Sequence, residues 1–232
     1  MSEQKRVLLY TTLYDVGPEY TNLPYAEHTV AINTAYAKRH NYVFETVDVP
    51  SDFPDRPKAW LRVWYARKFI KDYDYIMFLD GDAFFVDHSR NLDHLIDKYL
   101  GGEACFVFAR DQKLENHVFH QNRPNAGVFL IKNSEAACAL LDSWWNVPDE
   151  DYNGKLFYDA NRYLDTQDTL YHHPYEQLAL WFVYDANLAA FCLTDDYKEL
   201  NGLDGDFVRH LIQVPDSVRL RATSEFYKTL NP

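Results

Sequence analysis

"YIMFLDGDAFF" (residues 75–85) runs an apolar stretch straight into Asp-Gly-Asp and returns at once to apolar residues. An apolar run without polar alternation is what a strand covered on both faces requires. Asp80 and Asp82 therefore stand at the mouth of a buried strand, with Gly81 between them. Asp-Gly is also a common corner, and an Asp at a strand end is often solvated. Two features argue for more than a corner. "AFF" follows directly, so the carboxylates press against a core, and two anions this close repel unless protons or a cation intervene. A hard divalent ion answers that repulsion, since carboxylate oxygens suit Mg²⁺ and Mn²⁺.

Working outward, strand-like and helix-like stretches alternate on both sides. "RVLLYTT" (6–12) is a buried strand, "YAEHTVAINTAYAKRH" (25–40) has helical spacing with Ile32, Ala35 and Tyr36 on one face, and "YVFETVDV" (42–49) alternates as a strand. "KAWLRVWYARKFI" (58–70) is a helix with Trp60, Val63, Trp64 and Arg67 at helical intervals; Asp55 is a candidate cap and Pro57 suits its first turn. Downstream, the pattern predicts a helix over 91–100, strands over 104–109 and 126–131, and a helix over 133–145 capped by Asn133 or Ser134. A buried helix over 174–185, strands over 189–193 and 207–214, and a closing helix over 217–230 complete it. Such alternation predicts an α/β fold: a mostly parallel central sheet flanked by helices, in a single domain over 1–232. In open sheets of this kind ligands bind beyond the carboxyl ends of the strands, where the two acids lie.

A net charge of −12 argues against nucleic acid as a partner, and against an anionic membrane. An anionic ligand held through a metal ion stays compatible with it. The three cysteines, Cys105, Cys138 and Cys192, are scattered singly and read as reduced thiols of a cytoplasmic protein. No segment reads as a signal peptide or membrane span. Aromatic residues make up a high 16% of the chain; most read as core, and the rest are candidates to stack on flat rings. A metal on Asp80 and Asp82 that stayed open to a ligand's phosphates would neutralise a departing diphosphate, as a sugar-nucleotide-dependent transferase requires. Phosphatases of the haloacid dehalogenase type also place Asp-x-Asp after an apolar strand. There Thr or Val usually stands two places after the second Asp, where this chain has Phe84, and the motif lies nearer the start of the domain.

Five blocks in order extend the reading. "KAWLR" (58–62), the strand with "LDGDAFF", "NAGVFLIKNSEAACALLDSWW" (125–145), "HPYEQLAL" (173–180) and "GDFVRHLI" (205–212) together resemble glycosyltransferase family 34, the galactosyl- and xylosyltransferases related to α-mannan galactosyltransferase. The resemblance spans about residues 58–212 and implies the GT-A nucleotide-diphospho-sugar transferase fold with retaining, metal-dependent transfer. It implies Asp80, Asp82 and His210 as metal ligands, and an imidazole beside two carboxylates tilts preference from Mg²⁺ toward Mn²⁺. Lys58 and Arg62 match the donor-side basic residues. They lie one turn apart, so they either contact diphosphate or solvate a helix face. Gln177, with Glu176 beside it, matches the catalytic position under the reacting sugar. In the first turn of a helix, Glu176 also simply suits the helix dipole.

Asn125, Ala126 and Gly127 open a strand where small residues let a sugar approach the backbone, although a plain turn uses the same residues. Thr11, Thr12 and Tyr14 end the first strand, where the nucleoside of this fold lies, and Tyr14 is a candidate to stack on the base. The expected donor is UDP- or GDP-linked and the expected acceptor is a glycan, entering over loops 111–127 and 150–173, with Tyr152, Tyr158 and Tyr163 as a candidate platform. The chain departs from the family after His210. "HLIQVPDS" (210–217) lacks the usual Gly and the basic residue beyond it, leaving Arg209 and Arg219 as candidate substitutes. The N-terminal anchor of familiar relatives is not seen, hence the expectation of a soluble, cytoplasmic enzyme. An inverting transferase with Asp168 or Glu176 as base and a non-catalytic sugar-binding protein remain the other readings.

Overall fold

A computed structural model describes residues 5–13, 23–54, 56–110, 123–147, 176–212 and 214–230. Strand β1 (Val7–Thr12) leads through helix α1 (Ala26–His40) to β2 (Val43–Val47). A 3₁₀ turn (Lys58–Trp60) runs into α2 (Leu61–Phe69), then β3 (Tyr75–Asp80), β4 (Ala83–Phe85) and α3 (Asp93–Tyr99). Next come β5 (Phe106–Arg110), β6 (Pro124–Lys132), α4 (Glu135–Trp145) and α5 (Glu176–Ala186). The chain closes with β7 (Phe191–Leu193), β8 (Val208–His210) and α6 (Asp216–Leu230).

The main sheet has the order β2-β1-β3-β6-β5-β7. Strand β1 is parallel to β2 and β3, and β5 is parallel to β7. Strand β6 runs against both its neighbours, β3 and β5. The sheet is thus mostly parallel, with one reversed strand inserted at its centre. Side chains of β3 alternate between the two faces: Ile76 and Phe78 join one apolar cluster, Met77 and Leu79 the other. This is why the strand reads as continuously apolar. Helices α2, α4 and α5 cover the first face through Val63, Leu141, Trp144 and Ala179. Tyr36 of α1 and Leu95 and Ile96 of α3 cover the second.

Two local expectations are revised, on α1 and on the late strand, and one of two alternatives, for the cap of α4, is decided. On α1, Ala35 is exposed, and the buried stripe is Ile32, Asn33, Tyr36 and Ala37. Asn33 belongs there because its amide serves a strand: Nδ2 donates to the Ala83 carbonyl and Oδ1 accepts from the Phe85 amide. The late strand is short, β8 ending at His210, and it does not join the main sheet. Strands β4 and β8 form a separate antiparallel pair, with Ala83 opposite His210 and Phe85 opposite Val208. The cap of α4 is Ser134, whose hydroxyl accepts from the Ala137 amide. Asp55 lies outside the described residues. Among them, no helix is long and apolar enough to cross a membrane.

Candidate metal centre

Backbone register brings the three candidate ligands together. Thr12 of β1 pairs with Asp80, so the first acid lies at the carboxyl end of two adjacent parallel strands. Two residues on, the chain enters β4, and because Ala83 lies opposite His210 the second acid is carried beside the imidazole. The Leu211 amide donates to the Asp82 carbonyl at 3.1 Å, which extends that pairing by one step. The result is a cluster in which one ligand atom from each of Asp80, Asp82 and His210 lies within 4.8 Å of the others. His210 Nε2 stands 3.1 Å from Asp82 Oδ1 and 3.6 Å from Asp80 Oδ2.

The outward oxygens of both acids are held by guanidiniums. Arg62 Nη2 lies 2.9 Å from Asp80 Oδ1, and Arg219 Nε donates to Asp82 Oδ2 at 2.9 Å. Each arginine is itself fixed. Arg62 donates to the carbonyls of Ala126 and Ala59, lies 3.3 Å from Glu176 Oε1, and sits over the ring of Phe78. Arg219 also donates to the Leu211 carbonyl and to Asp216. Around the cluster, the carboxylates Asp80, Asp82 and Glu176 outnumber the guanidiniums of Arg62 and Arg219. With His210 neutral, as a metal ligand must be, the surplus is negative, which suits a cation.

The ionisation behaviour follows from this crowding. Burial pushes the Asp80 carboxyl up to about 6, although Arg62 and His210 pull it the other way. Burial also acts to raise Asp82, but His210 and Arg219 outweigh it and hold that carboxyl below its ordinary value. For His210, burial disfavours the charged ring, and the pull of Asp82 and Asp80 more than reverses that effect. Asp82 and the imidazole thus favour each other's charged forms.

Gly127 borders the same space. Val128 pairs with Leu79, which places Gly127 across from Asp80. A Cβ on Gly127 would run into His210 Cε1 and come within 2.7 Å of Asp80 Oδ2. The glycine expected to admit a sugar is therefore first of all the residue that lets the ligands close up. Asn125 is buried and its Oδ1 accepts from the Gly127 amide. The Ala126 amide donates to Gln177 Oε1 at 3.1 Å. Glu176 is buried in the first turn of α5, and its carbonyl accepts from Trp144 Nε1. Glu176 Oε2 has no hydrogen-bond partner among the described residues.

Thr11 and Thr12 are buried at the end of β1, and the Thr12 carbonyl would lie 3.1 Å from a Cβ on Gly81. Lys58 opens the 3₁₀ turn before α2 and is half-buried, whereas Arg62 points inward to the acids. The two basic residues read as a pair thus have different surroundings. Arg209 lies across from Phe84, away from Asp82, so of the two candidate substitutes it is Arg219 that reaches the cluster. Tyr14, Tyr152, Tyr158, Tyr163 and Asp168 lie outside the described residues, as do most of the two expected acceptor loops. The sequence reading passed over Asn201, a fully buried residue whose Oδ1 meets His210 Nδ1. Its signal was the pair of glycines, Gly202 and Gly205, following it in "LNGLDGDF" (200–207).

With this geometry in place, likeness to known proteins becomes informative. A sequence model described as the galactosyl transferase GMA12/MNN10 family matches residues 3–212. An uncharacterised alpha-1,2-galactosyltransferase of Schizosaccharomyces pombe is 27% identical over 177 residues, 65% of this chain and 47% of that protein. An alpha-1,2-galactosyltransferase of the same yeast is 26% identical over 149 residues, 53% of this chain and 40% of that protein. The chain therefore spans less than half the length of these curated relatives. A crystal structure of a glycosyltransferase involved in glycosylation of the major capsid of PBCV-1 superposes with a TM-score of 0.64 at 15% identity, covering 95% of this chain and 99% of that one. The fold is of the GT-A type.

Proposed function

This chain belongs to the galactosyl transferase GMA12/MNN10 family, and from that premise we propose that it moves a sugar from a nucleotide diphosphate sugar to a glycan hydroxyl, with retention and with Mn²⁺ or Mg²⁺. The observation that carries the reading is the closure of Asp80, Asp82 and His210 into one cluster at the carboxyl ends of the strands. Two carboxylates and one imidazole are a donor set suited to Mn²⁺ ahead of Mg²⁺, and the glycine at 127 keeps the space between them free of a side chain. When bound, the metal supplies Lewis-acid stabilisation of the negative charge that grows on a departing diphosphate.

The chain's own residues do the rest. Asp80, Asp82 and His210 hold the cation, and Arg62 and Arg219 fix the carboxylates so that the ligand geometry is set before the donor arrives. Arg62 ties Asp80 to Glu176 and so couples the metal side of the site to the first turn of α5. Glu176 Oε2, buried and without a partner among the described residues, is left to accept from a hydroxyl of the donor sugar. Gln177 leans on the Ala126 amide and shares its oxygen with the strand that borders the sugar. A UDP- or GDP-linked donor fits this scheme equally. The names of the relatives make a galactose donor the first to try. The phosphatase reading finds no support in the family membership.

The test is a panel of sugar nucleotides, galactose-linked donors first, followed for slow hydrolysis and transfer with and without Mn²⁺. Expected is Mn²⁺-dependent turnover of one donor, reduced about 100-fold or more in Asp82→Ala, with the anomeric configuration of the donor kept in the product. Undiminished turnover in that variant would falsify the metal assignment, and an inverted product would replace retention with inversion.

A further inference from the structure

A metal-bound imidazole uses one ring nitrogen, and the hydrogen bond made by the other decides which nitrogen carries the proton. His210 ends a three-residue strand, so strand pairing alone does little to fix its ring. Its Nδ1 faces Asn201 Oδ1 at 2.5 Å, while Nε2 faces the two acids. An amide oxygen can only accept, so this contact places a proton on Nδ1 and leaves Nε2 as the nitrogen whose lone pair a cation would take.

The backbone of 197–210 is shaped to deliver that contact. The Asn201 amide donates to the Tyr197 carbonyl at 2.7 Å, and the His210 amide donates to the Gly202 carbonyl at 3.1 Å. Asn201 and His210 are thereby held side by side although nine positions separate them. The turn between them is too tight for side chains at its glycines. A Cβ on Gly205 would run into the Val208 carbonyl, and one on Gly202 would lie 3.0 Å from Lys198 Cα. Asn201 itself has no exposed surface.

We propose that Asn201 is a positioning residue for the metal centre: it sets the tautomer and ring plane of His210 and touches neither cation nor substrate. This rests on the metal-dependent reading above. The test is Mn²⁺ affinity of the full chain, by water-proton relaxation, for the wild type, Asn201→Ala and Asn201→Asp, with thermal unfolding followed in parallel. Expected is a loss of about 10- to 100-fold in affinity for Asn201→Ala. Asn201→Asp, whose carboxylate accepts the same Nδ1 proton, is expected to stay within about threefold of the wild type. A residue that merely fills space gives the reverse ranking, since a buried extra charge is then the worse change.

Wild-type affinity in Asn201→Ala, or an equal loss in both variants, overturns the proposal. Failure of the wild type to bind Mn²⁺ overturns the metal reading itself and is a separate result. If Asn201→Ala does not fold, ¹⁵N spectra of the Zn²⁺-loaded wild type decide: a His210 proton on Nδ1 supports the role, and a proton on Nε2 overturns it.

Discussion

A methyl group at position 127 has nowhere to go. The ring of His210 and the carboxylate of Asp80 already occupy the space, and moving either would disturb its contact with Asn201 or Arg62. Gly127→Ala should therefore push the ligands apart. A displacement of about 1 Å in a site of this kind can cost on the order of 100-fold in rate. Turnover assays on the variant should show at least that loss, with the unfolding midpoint falling far less. Sequence reading singles out this glycine for the approach of a sugar, and the structure places His210 and Asp80 beside it. It expected a sugar at that point because it could see the strand beginning but not the histidine lying against it. Asn201 was passed over for a related reason: an Asn before a Gly reads as a turn residue, and only the folded loop shows its oxygen on His210.

At the scale of elements, the apolar run before Asp80 carried most of the fold. Continuous burial on both faces made β3 legible, and helical spacing with small polar residues ahead of it made α4 legible. Ser134 is the cap of α4, and Ser134→Ala should lower stability by about 1 kcal/mol in urea titration. An unchanged midpoint would mean that the cap bond contributes nothing. The β4–β8 pair was the opaque part. "AFF" and "VRH" are three residues each and carry no period, and their pairing joins distant parts of the chain. Yet this pair is what brings His210 to Asp82.

The turn leaving β4 carries a pH signature. The Ser89 hydroxyl and amide, together with Arg90, bond the Asp87 carboxylate and draw it from 3.8 down to about 2. A carboxyl depressed by folding stabilises the native state above its unfolded value and loses that contribution as pH falls through the folded one. The stability gap between the wild type and Asp87→Asn should therefore narrow between about pH 4 and 2. Denaturant midpoints across that window provide the measurement. A gap independent of pH would contradict it.

For the whole molecule, the arrangement gathers charged groups of both signs at one end of the sheet. The cluster gathers Asp80 and Asp82 from mid-chain, Glu176 and His210 from downstream, and Arg219 from α6, which lies beyond the stretch shared with the family. Arg219, one of the two candidates for the family's missing basic residue, reaches the cluster from a helix, and its observed partner is Asp82. A cation bound there should stabilise the entire fold by mass action, by about 2.7 kcal/mol at a concentration 100 times its dissociation constant. Thermal unfolding with Mn²⁺ and then with a chelator should show the midpoint rise and fall reversibly. No shift at saturating Mn²⁺ would mean the cluster holds no such ion.

The central claim is that Asp80, Asp82 and His210 share one cation, and electron spin-echo measurements on the Mn²⁺-loaded chain address it most directly. The expected result is a nitrogen modulation from one directly bound imidazole that disappears in His210→Ala. A Mn²⁺-saturated wild type without nitrogen coupling, or a coupling that survives the loss of His210, would contradict it.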